Sequence, residues 1–204
     1  MTPSEQYREY KKSKRDIHYF ATHYCQTEKK IRDGAQIKTE IVPFPKYDYL
    51  HELLNSLHNP GNTIDEKSRQ MLWSWAAMVD SLHCLIFDDS YSEKVISRKE
   101  NLVDDGGMNA TTDSLFGRLF FMWDKLPTFL KAPLTFNNLK ITNALNNAFV
   151  KGESTNVKAG RGGVYNKIKA DEWAYCDNSE SIFAGLHSAC PNNKKFGSTP
   201  NGKG

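Results

Sequence analysis

The stretch KIKADEWAY, Lys167 to Tyr175, decides how the chain is interpreted, because it predicts a buried strand that ends in two adjacent acids. In open sheets of parallel strands, ligands bind beside the carboxyl ends of the strands. A carboxylate at that edge, Asp171, can hold Mg²⁺ directly or through water, and the next one, Glu172, can polarise an attacking water molecule. The same pair can also be a solvated feature of a strand end, because short motifs often occur by chance.

The next predicted strand also ends in small polar residues. The segment KKFGSTPNGKG, residues 194–204, predicts a final strand and turn in which Ser198 and Thr199 follow Gly197. Hydroxyl groups at this edge of a sheet can lie beside the terminal phosphate of a nucleotide and respond to its loss. The alternative is an ordinary turn, which proline, asparagine and glycine form in any protein.

A third candidate is the loop KSRQMLWSW, residues 67–75. A standard phosphate-binding loop is G-x-x-x-x-G-K-[ST], in which backbone N–H groups and a lysine bind the phosphates. Leu72 and Trp73 stand where that motif has glycine and lysine, while Ser74 keeps the hydroxyl that binds the metal. Lys67 and Arg69 are the available replacement cations, and an arginine can hold phosphate oxygens in a bidentate manner. The alternative is a basic surface turn before a core helix.

Under the first interpretation, the amide groups at the start of the following helix add to phosphate binding. The predicted nucleotide-binding loop then comprises Lys67, Ser68, Arg69, Gln70, Met71, Leu72, Trp73 and Ser74.

Predicted strands and helices alternate along most of the chain. Apolar periodicity predicts helices in DYLHELLNSLH, SWAAMVDSLHCLIF, SLFGRLFFMWDKLP and SESIFAGLHSA. Strands are predicted in TIDEKSR, YSEKVIS, LKITNALNNAFVKG, NKIKADEWAY and KKFGST, although TIDEKSR is unusually polar for a central strand. This alternation predicts an α/β fold with a mostly parallel central sheet flanked by helices.

The start of the chain has a different character. Residues 1–34 are polar and charged, and Tyr19, Phe20 and Tyr24 are spaced to share one face of a helix. We therefore expect a helical N-terminal appendage over residues 1–40 and the main domain over residues 41–204.

Composition sets limits on the class of protein. The chain has 204 residues, a formal net charge of +3 and 39% hydrophobic residues, which fits a globular domain and does not by itself indicate nucleic-acid binding. Its four cysteines are far apart and its histidines show no spacing typical of metal ligands, so reduced thiols are expected rather than a disulfide framework or a zinc site. The polar N-terminus is not a signal peptide, and no apolar run is long enough for a membrane span.

Along the chain, a basic loop before a helix is followed by a strand that ends in Asp-Glu and then by a strand that ends in Ser-Thr. In that chain order the three segments resemble those of the N-terminal ATPase domain of the large terminase subunit of tailed bacteriophages. The resemblance covers most of residues 40–204 and is carried by KSRQMLWSW, KVISRKENLVDDGG, SLFGRLFFMWDKLP, GRGGVYNKIKADEWAY and GSTPNGKG. It implies the additional-strand (ASCE) P-loop NTPase fold, with ATP and Mg²⁺ as ligands.

The resemblance also implies roles for particular residues. Asp171 and Glu172 match the Walker B acids, with Asp171 on the metal and Glu172 as the catalytic carboxylate, while Ser198 and Thr199 match the coupling motif. Lys67, Arg69 and Ser74 inherit the phosphate and metal roles of a deviant Walker A loop, and Arg69 is also counted as catalytic.

Two further roles follow from the same resemblance. The segment VPFPKYDY stands where the family binds adenine, often through a glutamine, so stacking on Tyr47 or Tyr49 is expected instead. Such motors also use an arginine from a neighbouring subunit, for which Arg118 and Arg161 are the candidates.

The resemblance implies a motor that hydrolyses ATP to move double-stranded DNA into a procapsid. Its expected partners are DNA bound without sequence preference, the portal protein, the small terminase subunit and further copies of itself in a ring, with the isolated domain able to be monomeric. Its expected location is the host-cell cytoplasm rather than the mature virion. The family's C-terminal nuclease domain is expected to be absent from these residues, and nuclease activity with it.

Two alternatives remain open. The first is another ASCE ATPase, of a helicase-like or remodelling kind, although such enzymes usually keep the glycine and lysine of the loop. The second is a nucleotide-binding docking module without turnover, which Leu72 and Trp73 favour and which Asp171 and Glu172 oppose. A measurement of turnover separates these alternatives.

Overall fold

The computed structural model describes residues 1–34, 36–68, 71–155, 162–177 and 179–200. Within these ranges the strands are β1 (Gln26–Asp33), β2 (Gln36–Pro43), β3 (Thr63–Glu66), β4 (Ser92–Ser97), β5 (Leu134–Asn137), β6 (Lys140–Asn143), β7 (Ala148–Ser154), β8 (Lys167–Asp171) and β9 (Lys194–Ser198). The α-helices are α1 (Pro3–Arg15), α2 (Ile17–Tyr24), α3 (Asp48–His58), α4 (Trp73–Phe87), α5 (Glu100–Val103), α6 (Leu115–Asp124) and α7 (Ser179–Ala189). Short 3₁₀ turns occur at Gly107–Asn109 and Trp173–Tyr175.

The central sheet has seven strands in the order β3-β9-β8-β4-β7-β6-β5. Adjacent strands run parallel from β3 to β7, and β6 and β5 continue the sheet as an antiparallel hairpin. Strand β9 is inserted between β3, which leads into the predicted loop, and β8, which ends in Asp171. The predicted ASCE-type α/β fold is therefore confirmed, and the carboxyl ends of β3, β9, β8 and β4 lie side by side.

The polarity of TIDEKSR is explained by its position. Strand β3 is at the edge of the sheet and pairs with β9 alone among the strands described, so Ile64 is 82% exposed. An edge strand has no need of the continuous apolar sequence that a strand buried on both faces requires.

Helix α4 lies on one face of the sheet and is buried along nearly its whole length. Its apolar residues share one core with α2, with the leucines of α3 and with α6. Helix α7 covers the opposite face, where Ile182 and Leu186 pack with Ile168 and Ala170 of β8. Within the described part of the chain, every helix is too short or too polar to span a bilayer.

The prediction of a helical appendage over residues 1–40 is only partly correct. Helices α1 and α2 account for it as far as Tyr24, and Phe20 of α2 is fully buried in the main core. Strands β1 and β2 then form an antiparallel hairpin over residues 26–43, so the expected boundary at residue 40 falls inside a strand. The helical prediction missed the hairpin because exposed charges interrupt its β-branched residues, although the Asp-Gly pair at residues 33–34 is a hairpin signal.

The two N-terminal helices are joined by a carboxylate that accepts two phenolic hydrogen bonds. Glu9 of α1 accepts from the hydroxyls of Tyr19 (2.5 Å) and Tyr24 (2.6 Å) in and at the end of α2. The hydrogen bond from Tyr19, followed by that from Tyr24, lowers the pKa of Glu9 to about 2. Ionised Glu9 therefore helps to hold α1 against α2.

Replacing Glu9 with glutamine removes the charge to which both tyrosine hydroxyls donate. Because the pKa of Glu9 is lower in the folded state, ionised Glu9 stabilises the fold above its usual pKa of 4.5, and this contribution is lost as the pH falls toward about 2. We expect Glu9→Gln to lower the melting temperature at neutral pH, with the difference from the unmodified chain closing across that acid range. Thermal unfolding followed by circular dichroism measures this difference. Glu52→Gln, at an exposed position of α3, is the control, and a difference that persists unchanged into acid would contradict the assignment.

Candidate active site

Asp171, the last residue of β8, connects two of the three segments that the sequence singled out, its own acidic pair and the loop at residues 67–75. Its Oδ1 accepts a hydrogen bond from Nζ of Lys67 at 2.8 Å, and its Oδ2 accepts one from the hydroxyl of Ser74. The backbone N–H of Glu172 also donates to Oδ1, at 2.9 Å. The carboxylate is buried, so the end of β3, the start of α4 and the end of β8 meet at one polar group.

Leu72 has a backbone conformation that is usual for glycine. It lies at the N-terminal boundary of α4 with φ of 55°, in the left-handed region that favours glycine. Leucine in that region costs about 1 kcal/mol or more. The loop therefore has a left-handed residue at the position where a standard loop has glycine, and that residue, Leu72, lines the cavity described below and packs against the main core.

Trp73 occupies the lysine position of the standard motif, and a lysine ammonium lies beside it. Nζ of Lys67 is 5.1 Å from the centre of the Trp73 ring, within cation–π range. The backbone N–H of Lys67 donates to the carbonyl of Ser198 at 2.9 Å, which extends the pairing of β3 with β9. The positive charge thus reaches the site from the end of a strand instead of from the helix.

The indole of Trp73 also fixes the loop against the neighbouring strand. It is 2% exposed, and its Nε1 donates to Oδ2 of Asp65 in β3 at 2.8 Å. Gly197 of β9 lies directly against the ring, because a Cβ at that position would come within 2.2 Å of an indole carbon. Trp73 therefore requires glycine at position 197.

Glu172 follows β8 in a left-handed conformation, with φ of 56°, and its side chain is 38% exposed. Its Oε2 accepts a hydrogen bond from Nε of Arg98 at 2.6 Å. The Arg98 guanidinium lies 6.0 Å from the centre of the Tyr175 ring. Sequence reasoning missed both Arg98 and Tyr175, although Arg98 directly follows β4 and the argument about carboxyl ends of parallel strands could have identified it.

Ser198 and Thr199 connect the end of β9 to the turn that follows Glu172. The hydroxyl of Ser198 accepts from the backbone N–H of Ala174 at 3.1 Å and donates to the carbonyl of Thr199 at 2.9 Å. The hydroxyl of Thr199 is 3.4 Å from that of Tyr175. These contacts join the end of β9 to the turn after Glu172. The predicted coupling of hydrolysis to movement would depend on these two segments.

A cavity of about 970 Å³ opens over these groups, within the size range of ligand pockets. The β1–β2 hairpin closes one side, and the rings of Tyr47 and Tyr49, stacked at 5.7 Å, line it as well. Predicted site residues that line the cavity are Tyr47, Tyr49, Lys67, Ser68, Met71, Leu72, Trp73, Ser74, Arg118, Glu172 and Thr199. Arg69, Gln70 and Arg161 lie outside the described residues.

Arg118 lines the cavity of its own chain. Its guanidinium lies 5.9 Å from the centre of the Trp75 ring, and Nη2 donates to the carbonyl of Asp113 at 3.4 Å. Its Nε has no hydrogen-bond partner among the described residues, and burial lowers the pKa of the guanidinium. This position makes Arg118 available to the site within one chain, while its action on a neighbouring subunit stays a prediction.

Three potential metal ligands, one at the end of α3 and two adjacent in α4, lie close together. His58, His83 and Cys84 present ligand atoms within 4.8 Å of one another. Asp80 accepts from His58 at 2.7 Å, and the ammonium groups of Lys167 and Lys169 lie 2.7 and 2.8 Å from its other oxygen. Because two ammonium groups there would repel a metal cation, we interpret this group as a buried charge network between α4 and β8.

Comparison with solved structures identifies the fold. The large terminase of bacteriophage HK97 aligns with a TM-score of 0.65 and 11% sequence identity, over 91% of this chain and 37% of that chain. The large-terminase ATPase domain of Thermus phage P74-26 aligns with a TM-score of 0.53 and 18% identity, over 78% of this chain and 71% of that one. At these identities the likeness establishes a shared fold. No protein-family model and no curated protein sequence matches the chain.

Gly197→Ala tests the contact between the loop and β9. The added Cβ overlaps the Trp73 ring, and overpacking of this kind costs about 1–3 kcal/mol. We expect a loss of that size in the free energy of unfolding, measured by denaturant titration.

Trp73→Leu provides the matched background, because it removes the ring that the new methyl group would meet. In that background the cost of Gly197→Ala should fall by about 1 kcal/mol or more, as expected for residues in contact. Equal costs in both backgrounds would show that the indole does not impose the glycine.

Proposed function

We propose that this chain is the ATPase motor domain of a viral DNA-packaging terminase, which hydrolyses ATP to move double-stranded DNA into a procapsid. The observation that carries the proposal is the convergence of Lys67 and Ser74 on Asp171, at the carboxyl edge of an additional-strand sheet and beside a cavity of nucleotide size. The shared fold with two phage large terminases supports the choice among ATPases of this class.

The donor set fits Mg²⁺. Ser74 offers a hydroxyl oxygen and Asp171 a carboxylate, and Mg²⁺ prefers oxygen ligands, usually one or two carboxylates together with substrate phosphates. When bound, the ion would neutralise charge on the phosphate oxygens. Ser74 and Asp171 would hold it, and Lys67 would supply the ammonium that Trp73 cannot. Arg69 would add a second cation to the phosphates.

The remaining roles follow from position around the cavity. Glu172 would accept the proton of the attacking water, because it follows Asp171 and lines the same space. Tyr47 and Tyr49 would stack on the base. Ser198 and Thr199 would transmit loss of the terminal phosphate to β9, through their contacts with the turn after Glu172.

The proposal extends to partners. Double-stranded DNA would be bound through its phosphates without sequence preference and with strong salt dependence. The portal protein, the small terminase subunit and further copies of the chain in a ring complete the motor, with Arg118 or Arg161 as the arginine that one subunit would offer another. The motor would act in the host-cell cytoplasm and not in the mature virion.

One observation favours a second candidate, a nucleotide-binding docking module without turnover. Leu72 lines the cavity at the position where a standard loop has glycine, and a residue with a Cβ there leaves less room for backbone to approach a phosphate. A measurement of hydrolysis decides between the two functions.

The test is Mg²⁺-dependent ATP hydrolysis at several protein concentrations, with binding of a fluorescent ATP analogue measured in parallel. We expect turnover that rises with concentration as subunits associate. Glu172→Gln should lower turnover by about 10²–10⁴-fold, the usual contribution of a general base, and should leave binding intact. Lys67→Ala and Arg69→Ala should weaken binding itself.

Glu180→Gln, at an exposed position of α7, is the matched control and should change neither quantity. Binding without turnover at any concentration would favour the docking module. The absence of both binding and turnover would return the loop to a basic turn before a core helix and overturn the proposal.

A further inference from the structure

We propose that Arg98 is a positioning residue that holds the carboxylate of Glu172 in the direction that proton transfer needs. This inference rests on the proposed function, since it concerns the same site. It adds a residue that directly follows β4, the strand next to β8, to those assigned above.

Glu172 cannot hold its own side chain in place. Its backbone is fixed, because its N–H donates to Asp171 and its carbonyl accepts from Tyr175 at 3.0 Å. Its side chain is 38% exposed, and among the described residues the hydrogen bond to its carboxylate comes from Arg98. A general base contributes only when it is held within hydrogen-bonding reach of the proton it removes. A half-exposed glutamate therefore needs a partner that fixes its direction.

Arg98 is suited to be that partner because its own backbone is anchored. It directly follows β4, which pairs with β8 in parallel register, with Ile96 opposite Ala170. Its carbonyl accepts from the hydroxyl of Thr155 at 3.3 Å. Its guanidinium is held between the Glu172 carboxylate and the face of Tyr175. The position of Arg98 beside Glu172 is therefore fixed by the sheet.

The geometry of the contact favours arginine over a simple charge. The donor to Oε2 is Nε, at 2.6 Å, and the planar guanidinium fixes the direction of that bond relative to the side chain. One bond to Oε2 leaves Oε1 of Glu172 available for the attacking water. A lysine would supply the same charge but not the same fixed direction.

The contact contributes little to the stability of the fold, because both side chains are partly exposed to solvent. Arg98 and Glu172 have side chains 44% and 38% exposed, and pairs of this kind contribute about 0–1 kcal/mol to stability. Variants of Arg98 should therefore fold normally. A change in their activity then reports on the site.

The experiment compares Arg98→Ala and Arg98→Lys with the unmodified chain in steady-state ATP hydrolysis. We expect Arg98→Ala to lower kcat about 10–100-fold, within the range that misplacement of a catalytic group costs, with KM for ATP and the melting temperature nearly unchanged. Arg98→Lys should recover part of the loss. Lys99→Ala, which removes the adjacent exposed cation, is the matched control and should leave kcat unchanged.

A second measurement does not depend on turnover. Affinity for ADP with aluminium fluoride, which imitates the transferring phosphate, should fall about 10-fold or more in Arg98→Ala, while affinity for ADP alone should not change. In the NMR spectrum, the Nε–H signal of Arg98 should move when Glu172 is replaced by glutamine.

The outcomes separate the inference from the function on which it rests. If the unmodified chain hydrolyses ATP and Arg98→Ala matches it in kcat and in affinity for the phosphate mimic, Arg98 has no positioning role and the proposed function stands. If Arg98→Ala lowers both kcat and the melting temperature, and Arg98→Lys recovers neither, Arg98 has a structural role and the inference is overturned. If the chain binds no nucleotide, the proposed function and this inference fall together.

Discussion

The candidate site depends on one buried carboxylate, that of Asp171, which is 6% exposed. An ionised group removed from water costs several kcal/mol unless charge and hydrogen bonds offset it. Lys67, Ser74 and the amide of Glu172 provide that offset, and Lys67 and Ser74 lie 104 and 97 residues before Asp171 in the chain. The need to satisfy Asp171 therefore helps to hold the loop, the start of α4 and the end of β8 in place. It also means that a metal and a nucleotide would exchange partners with these groups instead of entering a site of unpaired charges.

The same strand continues this pattern into the core. Lys167, Lys169 and Asp171 alternate along β8, so all three face α4, while Ile168 and Ala170 face α7. Burial alone would raise the pKa of Asp80 on α4, but the ammonium groups of Lys167 and Lys169 outweigh it and hold that pKa well below its usual range. Lys169 also pairs with Glu93 of β4 at 3.0 Å. The site is thus the outer end of a row of paired charges between the sheet and its main helix.

The sequence was sufficient for the elements whose pattern is local. Apolar periodicity predicted α3, α4 and α6, and the resemblance carried by the loop, the acidic pair and the Ser-Thr pair implied the additional-strand fold that the strand order bears out. The sequence was insufficient where contacts with other elements decide which side chains are buried or paired. The charges of KIKAD suggest exposure, yet Lys167 and Lys169 are buried because Asp80 and Glu93 lie opposite, and that pairing follows from tertiary structure alone. The contact of Arg98 with Glu172 has the same origin, since it needs β4 beside β8.

Under the proposed function, the residues of the loop share out the roles that the standard motif assigns to its glycine, lysine and hydroxyl. Leu72 keeps the left-handed backbone of glycine at an energetic cost, and Ser74 keeps the hydroxyl beside the buried acid. The ammonium comes from Lys67 at the end of β3. It lies against the Trp73 ring, so the indole at the lysine position contacts the cation that would take the place of that lysine. That indole in turn fills the space above Gly197, so the residue that displaced the lysine also ties the loop to the strand that carries Ser198. A change at position 73 would therefore alter both the surroundings of Lys67 and the contact with β9, which makes Trp73 the residue that joins the proposed phosphate-binding loop to β9.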